Sequence, residues 1–469
     1  MLSNRRRICF LTYLIRILGW TFFLILYRNR NDIASIVSNH LGLDRSIQCR
    51  VGEVKEWIHG SFNVCIPIYV EKWKKHSAKR FLIRFSLPYK LGESTYPGNS
   101  DEKLRSEAAT FIWIKEHCPD IPLPRLWGFG FAGGQTRQKI LEHGYLLMDY
   151  IDEPEIEMLS QTWNQTPHHS DKTATCYRDL SRIMLSLSQR PLPRIGSWTI
   201  DSNGVLHLSN RPLTLRVHQF ENAGILTGMN RDLTYPSTDS YYLDMLSCHD
   251  SRIRHQPNCI YDEQDGREQL ANLSIMRALV SHFTDRELRQ GPFFFRLTDL
   301  HPSNIFVDTQ WHIKYIVDLE WACSLPAEIL RPPYRLTGRT ADNILGEDLD
   351  TFSKAHEQLT KIFEEEEKLC LPFFDVSSYR ANIMRKGWKI GNFWYFQALD
   401  SPKGLFNIFR DHIQPIFSAS QSEHPAEFSR IVSESWAVNT KDVIAGKLKD
   451  KEMYEERLRQ RFQNTADGT

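Results

Sequence analysis

The chain has 469 residues, with 58 lysines and arginines against 57 aspartates and glutamates, and 41% of its residues are hydrophobic. A chain of this length and composition buries a large core, which excludes disordered and fibrous proteins and allows two or three domains or one large bilobal unit. The net charge of +1 comes without a basic block, which argues against a nucleic-acid-binding protein, because phosphate contacts need clustered lysine and arginine.

The nine cysteines are widely separated and show neither a CxxC pair nor histidines at zinc-ligand spacing. This pattern predicts thiols that are reduced and mostly buried, as in a reducing compartment. We therefore expect a cytoplasmic folded domain, on the cytosolic side of a membrane if one is bound.

The N-terminal extension, residues 1–50, contains a hydrophobic segment from Ile8 to Tyr27 that is interrupted by Arg16. The segment is long enough to span a bilayer, although its central arginine opposes insertion. No acidic residue occurs before Asp32, which is typical of arginine-rich targeting segments. Three interpretations stay open: membrane association, which we favour, a targeting segment such as a mitochondrial one, and a helix packed on the folded protein.

Strand patterns follow the extension. Two runs rich in β-branched and aromatic residues lie on either side of His59-Gly60-Ser61, and a third covers Phe81 to Leu87. They predict antiparallel strands, the first two joined by a turn. From Asp101 the apolar spacing becomes that of a helix, which Pro119 closes.

Two charged residues stand inside these apolar patterns. Arg84 interrupts a strand, and Glu107 lies beside the apolar face of the predicted helix. A carboxylate turned toward a core normally needs a cation, so Arg84 is a candidate partner for Glu107. The alternative is that Glu107 lies at the edge of the helix face and meets water.

The segment from Phe293 to Glu328 holds the strongest functional pattern. An apolar run leads into Asp299, a proline-containing loop leads to Asn304, and a predicted β-hairpin ends at Asp318. The hairpin brings the three side chains toward one point. Mg²⁺ takes oxygen ligands, which suits Asn304 and Asp318, and Asp299 can accept the proton of an attacking hydroxyl. The pattern therefore indicates metal-assisted phosphoryl transfer.

These residues resemble a known family. The motif LTDLHPSNIFVD, which begins at Leu297, resembles the catalytic loop of the aminoglycoside phosphotransferase and choline kinase-like family of small-molecule kinases. The segment Trp388–Phe409 is similar to the fungal branch of phosphotransferase-domain proteins, and the likeness runs from about Val51 to the C-terminus. The resemblance implies ATP and Mg²⁺ as cofactors, Asp299 as the catalytic base, and metal ligation by Asn304 and by Asp318 in IVDLEWA.

The resemblance also implies a nucleotide site. Glu107 takes the place of the family's ion-pair carboxylate, and LLMDYI is similar to its hinge, where the Asp149 carbonyl and the Ile151 amide would meet adenine. The whole implied set is Ser61, Phe62, Arg84, Glu107, Asp149 and Ile151.

The fold that the resemblance implies is α+β, bilobal and protein-kinase-like. Its N-lobe, residues 51–148, would be a small antiparallel sheet with one helix that binds the nucleotide. Its C-lobe, residues 149–462, would be mainly helical and carry the catalytic loop and a substrate cap, with residues 463–469 as a tail.

The chain departs from the family at three places. Leu297 stands where a histidine usually braces the loop, Arg84 stands where protein kinases use lysine, and the turn His59–Phe62 lacks a full GxGxxG. Arginine grips phosphate oxygens bidentately but differs from lysine in geometry. These departures keep an alternative open, a catalytically inactive pseudokinase that binds a ligand or partner.

The acceptor is predicted only as a small hydroxylated molecule. An aromatic cluster between Trp388 and Phe396 could stack on a sugar or enclose a quaternary ammonium group, although such spacing is more typical of a helix core. The acidic run Phe363–Lys368 could attract a cationic substrate, although such runs usually form a solvated helix face.

Overall fold

A computed structural model describes residues 9–44, 46–71, 73, 80–132, 143–163, 170–333, 338–370, 378–418 and 425–466. The chain separates into two compact units. The first comprises Met1–Leu187, Ser197–His218 and Leu297–Cys323, and the second comprises Ser188–Gly196, Gln219–Arg296 and Ser324–Thr469. The division into lobes at residue 148, which we expect from the sequence, stays a prediction.

The first unit is built on a six-stranded antiparallel sheet with the order β1-β3-β4-β6-β5, in which β2 pairs with β3. Its strands are β1 (Gln48–Val51), β2 (Ile58–His59), β3 (Asn63–Glu71), β4 (Arg80–Ser86), β5 (Leu126–Gly130) and β6 (Tyr145–Asp149). The turn between β2 and β3 is closed by the Gly60 N–H, which donates to the Asn63 carbonyl at 3.0 Å. The predicted strands and their turn are confirmed.

Strand β4 separates an apolar face from a charged one. Phe81, Ile83 and Phe85 are fully buried in one core cluster, and alternation turns Arg84 to the opposite face. Arg84 lies opposite Cys65 on β3 and Leu146 on β6. The guanidinium is therefore held at the middle of the sheet, where it is 3% exposed.

Two helices of the extension, α1 (Cys9–Arg28) and α2 (Arg30–Leu41), pack on the apolar face of the sheet. Phe22 and Leu26 of α1 belong to the same buried cluster as Ile83. Helix α2 ends at Gly42, whose φ of 61° is left-handed and favours glycine. This burial supports the packed-helix interpretation for this part of α1. None of the helices in the described ranges combines the length and apolarity needed to cross a membrane.

The charged face of the sheet carries helix α3 (Asn99–His117), which begins two residues before the predicted start at Asp101. Its Lys103 and Glu107 are both fully buried, four residues apart on one face.

The remaining strands form small antiparallel sheets, in which β11 pairs with β12 and β7, and β8 pairs with β9, while β10 and β13 make a further two-stranded sheet. They are β7 (Glu157–Met158), β8 (Ser197–Ile200), β9 (Leu206–Asn210), β10 (Phe293–Leu297), β11 (Ile305–Val307), β12 (Ile313–Ile316) and β13 (Ala322–Pro326). Strands β11 and β12 are the predicted hairpin, which is confirmed.

The rest of the described chain is mainly helical. The helices are α4 (Leu159–Thr162), α5 (Ser170–Ser188), α6 (Leu215–Asn222), α7 (Thr238–His255), α8 (Glu263–Ala278), α9 (Val280–Phe283), α10 (Glu347–Cys370), α11 (Tyr379–Ile390), α12 (Asn392–Leu399), α13 (Leu405–Ile408), α14 (Gln414–Phe417), α15 (Pro425–Glu434) and α16 (Thr440–Ala466). The fold class is thus α+β, as predicted, with its main antiparallel sheet in the N-terminal part and mostly helices after it. The bilobal, protein-kinase-like arrangement that the resemblance implies stays a prediction.

The aromatic cluster near the C-terminus is a helix core. Phe393, Trp394, Tyr395 and Phe396 of α12 are all buried, and Trp388 of α11 is half-buried. The interpretation of these residues as core is confirmed.

The prediction that the acidic run Phe363–Lys368 forms a solvated face is wrong for two of its residues. Glu366 and Glu367 are buried. The Glu367 carboxylate accepts the backbone N–H groups of Arg380 at 2.9 Å and Ala381 at 3.0 Å. It therefore satisfies the otherwise unpaired amides at the start of α11, where a negative charge is favourable.

A buried histidine gives the second unit a predictable response to acid. His356 of α10 stacks on Trp388 with ring centroids 4.4 Å apart, and burial lowers the pKa of His356 to about 4. As pH falls from about 6.5 to 4, the unfolded chain binds a proton there that the folded chain refuses, so stability falls. In His356→Phe this proton uptake is absent, so the slope of the unfolding free energy against pH in this window is expected to decrease by the contribution of about one proton. Urea titrations at a series of pH values measure the slope.

His255→Phe is the control, because His255 is exposed on α7. It should keep the wild-type pH dependence. An unchanged slope in His356→Phe would contradict the assignment of this proton to His356.

Candidate active site

The hairpin fixes the loop between β10 and β11 from both ends. Ile305 of β11 pairs with Ile316 of β12, and the Val317 N–H donates to the Asn304 carbonyl at 2.9 Å. At the other end, Thr298 donates its hydroxyl to the Trp321 carbonyl at 2.5 Å. These bonds hold the loop that carries Asp299. The indole N–H of Trp321 in turn donates to His218 at 3.1 Å.

Asp318 leaves the end of the hairpin in an unusual backbone conformation. Its φ of 61° is left-handed, a region that aspartate tolerates better than most residues. The carboxylate is 38% exposed. Asp299 and Asp318 line the same small cleft, together with Thr298, Leu319 and other residues of the two segments. The predicted base, Asp299, and one predicted metal ligand, Asp318, are therefore brought together.

Asn304 lies beside this cleft and is nearly buried, at 8% exposure. Its side-chain Nδ2 donates to the backbone carbonyl of Asp299 at 3.0 Å, which fixes the direction of the amide. Within the described ranges its Oδ1 accepts no hydrogen bond, so an oxygen remains that can ligate a cation. The Nδ1 of His301 accepts the Ser303 N–H at 3.0 Å, a local hydrogen bond within the loop.

The predicted ion pair is present. Arg84 Nη1 lies 2.9 Å from Glu107 Oε1 and 2.7 Å from Asp318 Oδ1. Burial alone would lower the pKa of Arg84, but the carboxylates of Asp318 and Glu107 outweigh burial and raise it above its ordinary value. The guanidinium is thus a permanent cation that joins helix α3 to the end of the hairpin.

Sequence reasoning missed a second layer of charges behind Arg84. Glu320 contacts Arg84 Nη2, and its Oε2 lies 2.9 Å from Lys103 Nζ. Asn63 completes the layer, since its Nδ2 donates to Glu320 Oε2 at 2.8 Å and its Oδ1 accepts from Lys103 at 2.7 Å. The sequence contains one signal that could have indicated this layer, since Lys103 is a charge one helical turn before Glu107.

This second layer is fully withdrawn from solvent. Lys103 is 0% and Glu320 1% exposed. Burial, followed by the nearby Arg84 guanidinium, lowers the pKa of Lys103 to about 7. Charges buried this deeply persist only when they are paired and hydrogen-bonded, which the contacts with Glu320 and Asn63 provide.

The other residues of the implied nucleotide site also lie in the first unit. Ser61 is exposed in the turn, and Phe62 packs edge-to-face on Trp321 with ring centroids 4.8 Å apart. The Asp149 carboxylate is used locally, since it accepts the Trp127 indole N–H at 2.6 Å. The backbone N–H of Ile151 has no acceptor in the described part of the chain, so it can donate to a ligand.

No protein-family model matches the chain, and no curated protein sequence matches it. Solved structures match it at low identity. A candidate aminoglycoside phosphotransferase from Ralstonia eutropha is 10% identical, with 86% of this chain and 93% of that chain covered and a TM-score of 0.43. The ethanolamine kinase of Plasmodium vivax is 12% identical, with 85% and 86% covered and a TM-score of 0.38. Choline kinase LicA from Streptococcus pneumoniae is 14% identical, with 77% and 97% covered and a TM-score of 0.34. Because these TM-scores are low, the likenesses carry no argument about function. The chemistry of the site is therefore argued from the contacts within this chain.

Proposed function

We propose that the chain is an ATP- and Mg²⁺-dependent phosphotransferase that acts on a hydroxyl group of a small molecule. One observation carries the proposal: Arg84 contacts Glu107 and Asp318 together, and Asp318 shares its cleft with Asp299. A fixed cation, a ligand for a metal and a base in one place are what phosphoryl transfer requires.

Asp299 is the proposed base. It is half-buried on a loop that is held at both ends, and its carboxylate lines the cleft that an acceptor would enter. It would orient the acceptor hydroxyl and take its proton as the oxygen attacks the terminal phosphorus of ATP. The acceptor oxygen would form a bond to the terminal phosphorus as the bond from that phosphorus to the bridging oxygen of the β-phosphate breaks. The hydroxyl proton would pass to the carboxylate, and the products would be the phosphorylated acceptor and ADP.

Asn304 and Asp318 are the proposed ligands of Mg²⁺. Both offer oxygen donors, which Mg²⁺ prefers, and the Oδ1 of Asn304 accepts no hydrogen bond from the described residues. When bound, the ion would neutralise charge on the ATP phosphates. Asp318 also contacts the buried Arg84 guanidinium at 2.7 Å.

Arg84 and Ile151 are proposed to bind the two ends of ATP. The Arg84 guanidinium would hold phosphate oxygens, with Glu107 fixing its orientation. The Ile151 N–H and the Asp149 carbonyl would meet adenine, while Ser61 and Phe62 in the turn would cover the phosphates. The more specific resemblance, to the fungal branch, stays a prediction from Trp388–Phe409.

A catalytically inactive binding module is the second candidate. It is favoured by the 2.7 Å contact between Arg84 and Asp318, which occupies one oxygen of a proposed metal ligand. It is also favoured by the turn at His59–Phe62, whose few glycines leave fewer backbone amides for phosphates.

A thermal-shift titration separates the two candidates. ATP is expected to raise the Tm only when Mg²⁺ is present, because Asp318 would hold the ion that accompanies the nucleotide, and Asp318→Ala should abolish the shift. The control is Asp348→Ala, since Asp348 on α10 has similar exposure, 42% against 38%. A shift that survives in Asp318→Ala would contradict the metal assignment. The absence of any nucleotide shift in the wild type would overturn the proposed enzyme.

A further inference from the structure

Helix α1 has two different apolar faces between Leu18 and Arg28. One face is buried in the protein. The other presents large hydrophobic side chains to solvent, with Trp20 73% and Leu24 50% exposed. The exposed apolar residues of this second face, called the outer face below, are Leu18, Trp20, Leu24, Ile25 and Tyr27.

The buried face fixes the orientation of the helix. Phe22 and Leu26 belong to the core cluster of the sheet, and Phe23 stacks on Trp57 with ring centroids 5.8 Å apart. Gly19 lies so close to Tyr89 that a Cβ there would stand 3.2 Å from the tyrosine oxygen. The helix cannot turn its outer face inward without giving up these contacts.

The sequence up to residue 31, which includes the outer face, carries side-chain charges of one sign. Six arginines and no acidic residue occur in the first 31 positions, and they are Arg5, Arg6, Arg7, Arg16, Arg28 and Arg30. Arg28 is exposed on the helix, and Arg30 lies over the Tyr27 ring, 4.6 Å from its centroid. An apolar face with tryptophan and tyrosine, flanked by arginine, is complementary to an anionic lipid surface.

We propose that α1 lies on an anionic phospholipid bilayer as an interfacial helix, with its outer face at the boundary of headgroups and acyl chains and its inner face on the protein core. The proposal specifies how residues 8–27 would associate with a membrane. The helix runs along the surface, because its buried half belongs to the folded protein. The proposal is independent of the phosphotransferase reaction.

The test is flotation of the full-length protein with vesicles. Vesicles of phosphatidylcholine with phosphatidylserine should carry the protein, and pure phosphatidylcholine or high salt should weaken binding, because salt screens the arginines. Leu24→Glu is expected to weaken vesicle binding at least about tenfold, since it removes one apolar anchor and adds a negative charge. Its control is Leu226→Glu, which changes a leucine of similar exposure, 56% against 50%, in the second unit.

A second measurement reports how deeply the outer face of α1 lies in the bilayer. Brominated lipids should quench part of the tryptophan fluorescence in the wild type, and Trp20→Phe should remove that part, because Trp20 would lie at the boundary of headgroups and acyl chains. Equal binding by the wild type and Leu24→Glu would overturn the proposal. So would a failure to float, a homodimer that Leu24→Glu dissociates, or resistance to alkaline extraction typical of a spanning helix.

Discussion

Asp299→Asn is expected to lower kcat/KM for phosphoryl transfer by about two to four orders of magnitude while leaving Mg-ATP binding in place. Asparagine has the shape of aspartate but cannot accept the proton of the attacking hydroxyl. The loop should persist, because it is held through the Asp299 backbone carbonyl, which accepts from Asn304. The measurement is single-turnover transfer or, before an acceptor is known, slow ATP hydrolysis, alongside the Mg-ATP thermal shift.

Asp308→Asn is the matched control for this variant. Asp308 lies in the turn of the same hairpin, where its Oδ1 accepts the N–H groups of Gln310 at 2.9 Å and His312 at 3.0 Å. It does not line the cleft, so its replacement should leave turnover near the wild-type value. Unchanged turnover in Asp299→Asn would sink the assignment of the base.

Glu320→Gln is expected to lower the free energy of unfolding by about 3 kcal/mol or more, because it leaves two buried cations short of a carboxylate. Glu320 contacts both Arg84 and Lys103, and all three side chains are at most 3% exposed. Urea unfolding at constant pH measures the change.

The control is Glu434→Gln on α15. The Glu434 carboxylate is 44% exposed and lies 4.0 Å from Arg430, so its loss should cost less than about 1 kcal/mol. Equal stability of Glu320→Gln and the wild type would mean that Glu107 and Asp318 alone compensate the buried cations.

Two kinds of feature in the site could be predicted. One is formed by residues close together in sequence, and the other is a charge in an apolar pattern that has few possible partners. The hairpin from Ile305 to Ile316 follows from two short apolar strands and a turn. The pair of Arg84 and Glu107 follows because each is a charge in an apolar pattern, and few other partners were available. The roles of Asp299 and the metal ligands stay predictions, because proton transfer and metal binding are not read from contacts alone.

The parts that were missed depend on distant contacts. Asn63 and Glu320 bond to each other across 257 positions of the chain, and nothing near either residue marks it. Glu367 appeared solvated because its neighbours in sequence are acidic, yet its partners lie on α11. Sequence periodicity reports which face of a helix is polar. It does not report whether another element covers that face.

The burial of α1 has a consequence for processing of the N-terminus. Cleavage after Arg28, as removal of a targeting segment would require, takes Phe22 and Leu26 out of a core that they share with Ile66 and Ile83. The cut chain would expose the apolar face of the sheet to water and lose the transfer free energy of both side chains. Phe22 and Leu26 therefore belong to the buried core of the first unit, and their removal is expected to favour aggregation or degradation of the cut chain.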